Sequence, residues 1–136
     1  FMVSEAGYFI TQVNVLKQTS AAKFASVNSG FNHLIRPMFY DAYHHIENLS
    51  NPEGAPENYV ICGNICETDN FAWDRPIAEI KEGDYLLFHN AGAYGFEMAS
   101  NFNSRLKPGE VMLLNNEPIL IRRREVFEDL LTTQNL

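Results

Sequence analysis

With 136 residues, of which 46% are hydrophobic, the chain is long enough for one compact domain with a real core and too short for two large ones. Its net charge of −7 opposes non-specific binding to nucleic acid and to anionic membranes, and no apolar run approaches the ~20 residues that cross a bilayer. Two cysteines are too few for a disulfide framework or a structural zinc site, so we expect a soluble, cytoplasmic protein without nucleic-acid or membrane partners.

Most of the predicted elements are short strands separated by turns. Partial alternation of apolar and polar residues, and compact apolar runs bounded by glycine or acidic residues, are typical of strands. In chain order the sequence predicts strands at 8–15 and 23–27, a short broken helix within 31–43, a surface loop at 49–58, strands at 59–62 and 85–89, a hairpin of 111–114 with 119–121, and a helical turn within 125–131. This pattern favours a mainly β barrel or sandwich with one or two short helices.

A thiol and a carboxylate stand side by side at Cys66 and Glu67, in a polar stretch that follows an apolar strand. A thiol with an ordinary pKa near ~8.5 is mostly protonated at neutral pH, so it can donate a proton as well as act as a nucleophile. The plainer interpretation is a half-buried small residue beside a solvated carboxylate. Cys62 lies inside the strand itself, where a structural role is favoured.

Arg36 and Tyr40 are four residues apart, which places both on one face of a helical turn, and Pro37 is suited to the first helical position. A guanidinium group can bind both oxygens of a carboxylate, and a phenol beside it can add a hydrogen bond. The pair therefore indicates a carboxylate clamp. The alternative is a surface arginine near a core tyrosine.

Tyr94 lies between Ala93 and Gly95, where small neighbours let a backbone or a phosphate approach while the phenol projects. The alternative is an ordinary tyrosine of the core. The other polar groups give weaker signals. His44 and His45 are consecutive and diverge in an extended segment, so they cannot bind one metal together, and we expect no metal site. The basic run 122–124 is followed at once by acidic residues and predicts a locally neutralised face.

Four motifs together resemble the C-terminal domain of the diaminopimelate decarboxylase family, which is a group of pyridoxal phosphate-dependent enzymes of fold type III. They are Arg36-Pro37-Met38-Phe39-Tyr40, Ile65-Cys66-Glu67-Thr68, Ala91-Gly92-Ala93-Tyr94-Gly95 and Ser100-Asn101-Phe102-Asn103-Ser104-Arg105. The resemblance implies a Greek-key β-barrel like the C-terminal domain of alanine racemase, formed by 1–136 as a single C-terminal domain. It also implies an N-terminal α/β-barrel, absent from this sequence, that carries the cofactor lysine.

The same resemblance implies a function for the whole enzyme, which removes carbon dioxide from meso-2,6-diaminopimelate to give L-lysine. Cys66 would be the catalytic proton donor, reaching the cofactor of a partner subunit in a homodimer, and Glu67 would contact the distal ammonium of the substrate. Arg36 and Tyr40 would bind the distal carboxylate, and Tyr94 would lie against the pyridoxal phosphate and the substrate. The isolated domain should then be inactive, because no lysine here has a setting suited to a Schiff base.

The sequence departs from the family pattern at Asn28, where aspartate is common, and at Asp69-Asn70, where a Gly-Asp pair is common. Two alternatives stay open. One is another decarboxylase of the same fold type, such as one acting on carboxynorspermidine or another basic amino acid. The other is a stand-alone, non-catalytic β-barrel that binds small ligands.

Overall fold

The computed structural model describes residues 2–66 and 68–135, so Glu67 lies outside the described residues. In this described part of the chain eight strands dominate, together with one α-helix and three short 3₁₀ helices. The strands are β1 Phe9–Gln18, β2 Lys23–Val27, β3 Ile46–Asn48, β4 Pro56–Cys62, β5 Asn70–Ala78, β6 Tyr85–Phe88, β7 Glu110–Leu114 and β8 Glu117–Arg122; the helix α1 is Arg36–Tyr40, and the 3₁₀ helices are Ser4–Ala6, Phe102–Ser104 and Phe127–Leu131. Within the described residues, no helix is long and apolar enough to span a bilayer.

The chain contains two compact units, Phe1–Ala99 and Ser100–Leu136. The first unit holds a six-stranded sheet in the order β3-β6-β1-β2-β4-β5, in which only β2 and β4 pair in parallel. The two end strands β3 and β5 lie against each other. Because Asn48 Nδ2 donates to the Glu79 carbonyl at 2.8 Å and Arg75 donates to the His44 carbonyl at 2.7 Å, the sheet nearly closes on itself. The prediction of a mainly β, barrel-like fold with short helices is confirmed.

The core of the first unit lies inside this curved sheet. Alternate residues of each strand point inward, which is why the pattern of apolar positions in the sequence located most of the strands. The largest fully buried apolar side chains are those of Phe88, Leu34, Ile61, Leu86, Val13 and Val27. Leu34 precedes α1 and packs into this core, so it fixes the start of the helix against the sheet.

Several predicted boundaries are wrong by a few residues. The short helix predicted within 31–43 is confirmed as the five residues Arg36–Tyr40, and it ends at Asp41, which has a left-handed φ of 52°. The surface loop predicted at 49–58 ends earlier, because β4 begins at Pro56. Residues 56–58 pair with β5 on one side, and on the other side they do not pair with β2. Pro56 has no N–H, and at this position no hydrogen bond to β2 is lost.

The second unit contains the predicted hairpin, in which β7 pairs with β8. Its turn residues Asn115 and Asn116 have φ values of 53° and 65°, which is the conformation that asparagine tolerates in tight hairpins. The basic run is neutralised locally, as predicted: Arg122 pairs with Glu110 at 3.1 Å and Arg123 makes two hydrogen bonds to Asp129. This contact holds the pKa of Asp129 well below its usual value.

Candidate active site

Helix α1 carries the two residues of the predicted clamp. Arg36 lies in its first turn and Tyr40 one turn later, with Tyr40 58% exposed. The guanidinium carbon of Arg36 is 5.7 Å from the centre of the Tyr94 ring, so the structure brings together two residues that are far apart in the sequence. The Nε atom of Arg36 is buried and has no hydrogen-bond partner among the described residues. A buried guanidinium N–H of this kind is suited to an anionic ligand.

The loop that carries Tyr94 is fixed by its backbone. The Ala91 N–H donates to the Gly7 carbonyl at 2.8 Å, and the Gly92 N–H donates to the Ser4 carbonyl at 3.0 Å. A Cβ at Gly92 would lie 2.1 Å from a backbone oxygen, so only glycine allows this approach. Tyr94 itself has a left-handed φ of 65° and is 57% exposed, so its ring projects from the loop as predicted rather than filling the core.

Cys66 lies on a loop that one buried carboxylate holds in place. Asp69 is 5% exposed, and its two carboxylate oxygens accept hydrogen bonds from the N–H groups of Phe31 at 2.7 Å and Ile65 at 3.0 Å. A Cβ at Gly63 would lie 2.0 Å from the same carboxylate, so the glycine makes room for it. Ile65 is thereby anchored in the interior, and Cys66, the next residue, is exposed.

Replacing Asp69 by asparagine should loosen this loop, because the amide NH₂ must then face one of two buried N–H donors. An unsatisfied buried N–H costs about 1–3 kcal/mol, which corresponds to about 5- to 150-fold faster amide exchange. Hydrogen exchange of the Phe31 and Ile65 amides measures this. Asp74→Asn is the matched control, since Asp74 is exposed and asparagine tolerates its φ of 45°. Unchanged protection of both amides in Asp69→Asn would show that the carboxylate does not anchor the loop.

A cleft of about 420 Å³ connects the helix with the segment that follows Cys66. It is lined by α1 residues Pro37 and Met38 on one side and by Thr68 and Asn70 on the other. The cleft therefore borders the helix that carries the predicted clamp and the segment that follows the predicted thiol. Glu67, the residue after Cys66 in the sequence, lies outside the described residues.

Two residues that the sequence did not assign to the site add positive charge and order beside α1. Arg75 places its guanidinium 4.0 Å from the centre of the Tyr43 ring and also lines the cleft. His44 is 3% exposed, and its Nδ1 contacts the His89 carbonyl at 2.8 Å. Burial lowers the pKa of His44, and the charges of Arg36 and Arg75 lower it further, so His44 is neutral near pH 7. No local motif marks Arg75, because its role depends on strand β5 lying against β3.

The structure also gives Asn28 a role. Its Oδ1 accepts hydrogen bonds from the Thr11 hydroxyl at 2.6 Å and the Gln12 N–H at 3.0 Å. Because both groups donate hydrogen bonds, either the amide oxygen of asparagine or a carboxylate oxygen of aspartate can accept them. The departure from aspartate at this position therefore leaves the geometry intact.

The donor set fits one side of a pocket that holds an anionic ligand next to a phosphorylated cofactor. Arg36 and Tyr94 supply a guanidinium and a phenol next to each other, on a loop whose small residues permit close approach. Three of the four lysines have settings of their own: Lys23 pairs with Glu57, Lys81 lies near Glu79, and Lys17 is exposed on β1. The geometry defines the class of molecule as a β-barrel domain that carries a partly exposed cationic and aromatic site and, on another loop, an exposed thiol.

The comparison with known families agrees with this class. Residues 1–92 match the C-terminal sheet domain of the pyridoxal-dependent decarboxylases. The chain belongs to this family, whose members use pyridoxal phosphate.

Individual relatives resemble the chain over nearly its full length. A diaminopimelate decarboxylase of Methanothermobacter thermautotrophicus is 46% identical, matching 100% of the chain and 32% of that relative. The diaminopimelate decarboxylase of Escherichia coli K12 is 42% identical over 100% of the chain and 36% of that relative. The chain thus spans about a third of the length of the curated relatives it matches.

Solved structures give the same picture. A diaminopimelate decarboxylase from M. jannaschii superposes with a TM-score of 0.93 at 36% identity, covering 99% of this chain and 31% of that one. The same comparison includes a complex of that organism's enzyme with L-lysine, at a TM-score of 0.92 and 35% identity, with the same coverage. A lysine/ornithine decarboxylase from Vibrio vulnificus is only 20% identical, with a TM-score of 0.67 over 76% of this chain and 28% of that one, and shares the fold alone.

Proposed function

We propose that this chain is the C-terminal barrel domain of a diaminopimelate decarboxylase, which converts meso-2,6-diaminopimelate to L-lysine and carbon dioxide. The relatives with 42–46% identity over the whole chain carry that name. The observation in the structure that carries the proposal is the buried, unpartnered Nε of Arg36 against the exposed ring of Tyr94. Such a guanidinium suits a substrate with a second carboxylate, which distinguishes diaminopimelate from lysine or ornithine.

Arg36 and Tyr40 bind and orient the distal carboxylate in this proposal. The two residues lie one helical turn apart, and the short helix is held in place by Leu34 in the core. Glu67 holds the distal ammonium. Together these contacts fix which end of the substrate points toward the cofactor. Tyr94 contacts the substrate and the cofactor.

Cys66 supplies the proton that replaces carbon dioxide. Pyridoxal phosphate, when bound, would supply the electron sink that lets the carbon–carbon bond break. The thiol of Cys66 then donates its proton to the carbon that lost carbon dioxide and regains one from solvent, which the exposure of the residue allows.

The remaining parts of the pocket are proposed to come from other polypeptide. The N-terminal α/β-barrel of the same protein holds most of the pyridoxal phosphate, and the Cys66 loop reaches the site of a partner subunit in a cytoplasmic homodimer. The positions of Lys17, Lys23 and Lys81 support this division, since none of them lies beside Tyr94 in a pocket suited to a Schiff base. The barrel alone should therefore be inactive.

The test is a substrate comparison with the full-length protein that contains this chain. Release of carbon dioxide and formation of L-lysine from meso-diaminopimelate, with no turnover of carboxynorspermidine, is the expected result. Turnover of carboxynorspermidine alone would assign the protein to the other decarboxylase class. Absence of both activities in a protein that binds pyridoxal phosphate would overturn the proposal.

A further inference from the structure

Three potential metal ligands to which no part of the proposed reaction is assigned converge on one side of the barrel. They are His45, Glu47 and His89, whose donor atoms all lie within 4.8 Å of one another. The Nε2 atom of His45 is 3.2 Å from Oε1 of Glu47, and the Nε2 atom of His89 is 3.0 Å from the same oxygen. The carboxylate oxygen thus lies between two imidazole nitrogens.

The backbone explains why these side chains meet. His45 and Glu47 are two residues apart along β3 and its preceding residue, so they point to the same face. Strand β3 pairs antiparallel with β6, and the His89 N–H donates to the His45 carbonyl at 2.9 Å, directly after the pair Ile46 and Phe88. His89 is therefore directly opposite His45, and its side chain lies on the same face of the sheet as those of His45 and Glu47. The two rings are 5.0 Å apart, and the Tyr8 ring packs edge-on against His89 at 5.2 Å.

Hydrogen bonding alone does not account for this arrangement. The Nε2 atom of His89 is buried and has no hydrogen-bond partner in the described part of the chain, although Glu47 Oε1 is 3.0 Å away, because the contact is not aligned as a hydrogen bond. A buried imidazole nitrogen left in this state is costly unless a ligand satisfies it. This is the observation that points to an ion.

The distances suit a small transition-metal cation. Zinc binds imidazole nitrogen and carboxylate oxygen at about 2.0–2.2 Å, so neighbouring donors of a tetrahedral site lie about 3.3 Å apart. The two measured nitrogen–oxygen distances are close to this value. The distance between the two imidazole nitrogens reaches this value if the His45 side chain, which is 53% exposed, moves slightly.

We propose that His45, Glu47 and His89 form a binding site for a divalent transition-metal cation of the zinc type. Two imidazoles and one carboxylate bind zinc in preference to calcium or magnesium, which take oxygen ligands. Water completes the coordination on the exposed side. The ion would tie strand β3, at the end of the sheet, to the end of β6. His89 leads directly into the loop of Tyr94, so the site braces the segment from which that loop starts.

The experiment is calorimetric titration of Zn²⁺ into the metal-free full-length protein, with Co²⁺ absorption as a second readout that reports nitrogen and oxygen ligands. One ion per chain is expected. His45→Gln, Glu47→Gln and His89→Gln should each weaken binding by at least about 10- to 100-fold, the range that follows even the loss of a partner outside the ligand shell. Glu53→Gln, a change at an exposed carboxylate in the loop before β4, should leave binding unchanged.

His45 and Glu47 are exposed, so their variants keep the fold even if His89→Gln disturbs packing against Tyr8. Circular dichroism and cofactor absorption confirm this independently of metal binding. Zn²⁺ binding that is equal in the wild type, His45→Gln and Glu47→Gln, or no binding in the wild type, would overturn the proposal. Neither result depends on which amino acid the enzyme decarboxylates.

Discussion

Replacing Cys66 by alanine in the full-length protein is expected to lower kcat by about 10²- to 10⁴-fold, the usual contribution of a positioned proton donor. The thiol is exposed on a loop that Asp69 anchors, so alanine removes the donor and leaves the loop in place. Affinity for pyridoxal phosphate should change by no more than about twofold, because the thiol is assigned to proton transfer and not to holding the cofactor. Steady-state kinetics and a cofactor titration on the same preparation separate these two effects.

Cys62→Ala is the matched control for this experiment. The Cys62 thiol contacts the Ala25 carbonyl at 3.7 Å, and burial raises its pKa, so it is a structural thiol that stays protonated. Its loss should leave kcat within about threefold, since a change confined to packing does not alter the proton transfer. An unchanged kcat in Cys66→Ala, or an equal loss in both variants, would remove Cys66 from the reaction.

Replacing Arg36 by methionine is expected to lower kcat/KM for diaminopimelate by about 10²- to 10³-fold, mainly through a higher KM. Methionine keeps an unbranched stem against the Tyr94 ring but removes the guanidinium, so the distal carboxylate loses its charged partner. Arg36→Lys should recover only part of the loss, because an ammonium cannot bind both carboxylate oxygens in one plane. Steady-state kinetics of the three proteins measures this order.

The control is Arg124→Met, which makes the same chemical change at an exposed position. It should leave kcat/KM within about twofold, because surface substitutions away from a site have small effects. Equal KM values for the wild type, Arg36→Lys and Arg36→Met would show that Arg36 does not bind the substrate.

The sequence predicted most of the barrel because buried strands carry a clear apolar pattern. It missed β5, one of the longest strands, for a physical reason: β5 contains Pro76 and also Asp74 at a φ of 45°. Both are tolerated because β5 is the last strand in the sheet order, so only one of its sides forms backbone hydrogen bonds to a neighbouring strand. The three-residue strand β3 is too short to give any periodic signal.

The sequence predicted which residues belong to the candidate site, but it did not predict which of them contact one another. The exposure of Cys66 and Tyr94 follows from polar and small-residue contexts in the sequence. The stacking of Arg36 on Tyr94 depends on a loop that the N-terminal segment of the unit holds through Gly7 and Ser4, and no local pattern encodes that contact. The same holds for His45 and His89, since a metal site between strands is visible only once their register is known.

A structure of the full-length protein crystallised with L-lysine tests the central claim most directly. Lysine keeps the distal carboxylate of diaminopimelate, so the account predicts that this carboxylate lies within about 3.2 Å of the Arg36 guanidinium, on the same side as the Cys66 thiol of one of the two subunits. A lysine molecule whose carboxylate is held by other residues, with Arg36 and Cys66 both outside its pocket, would contradict it.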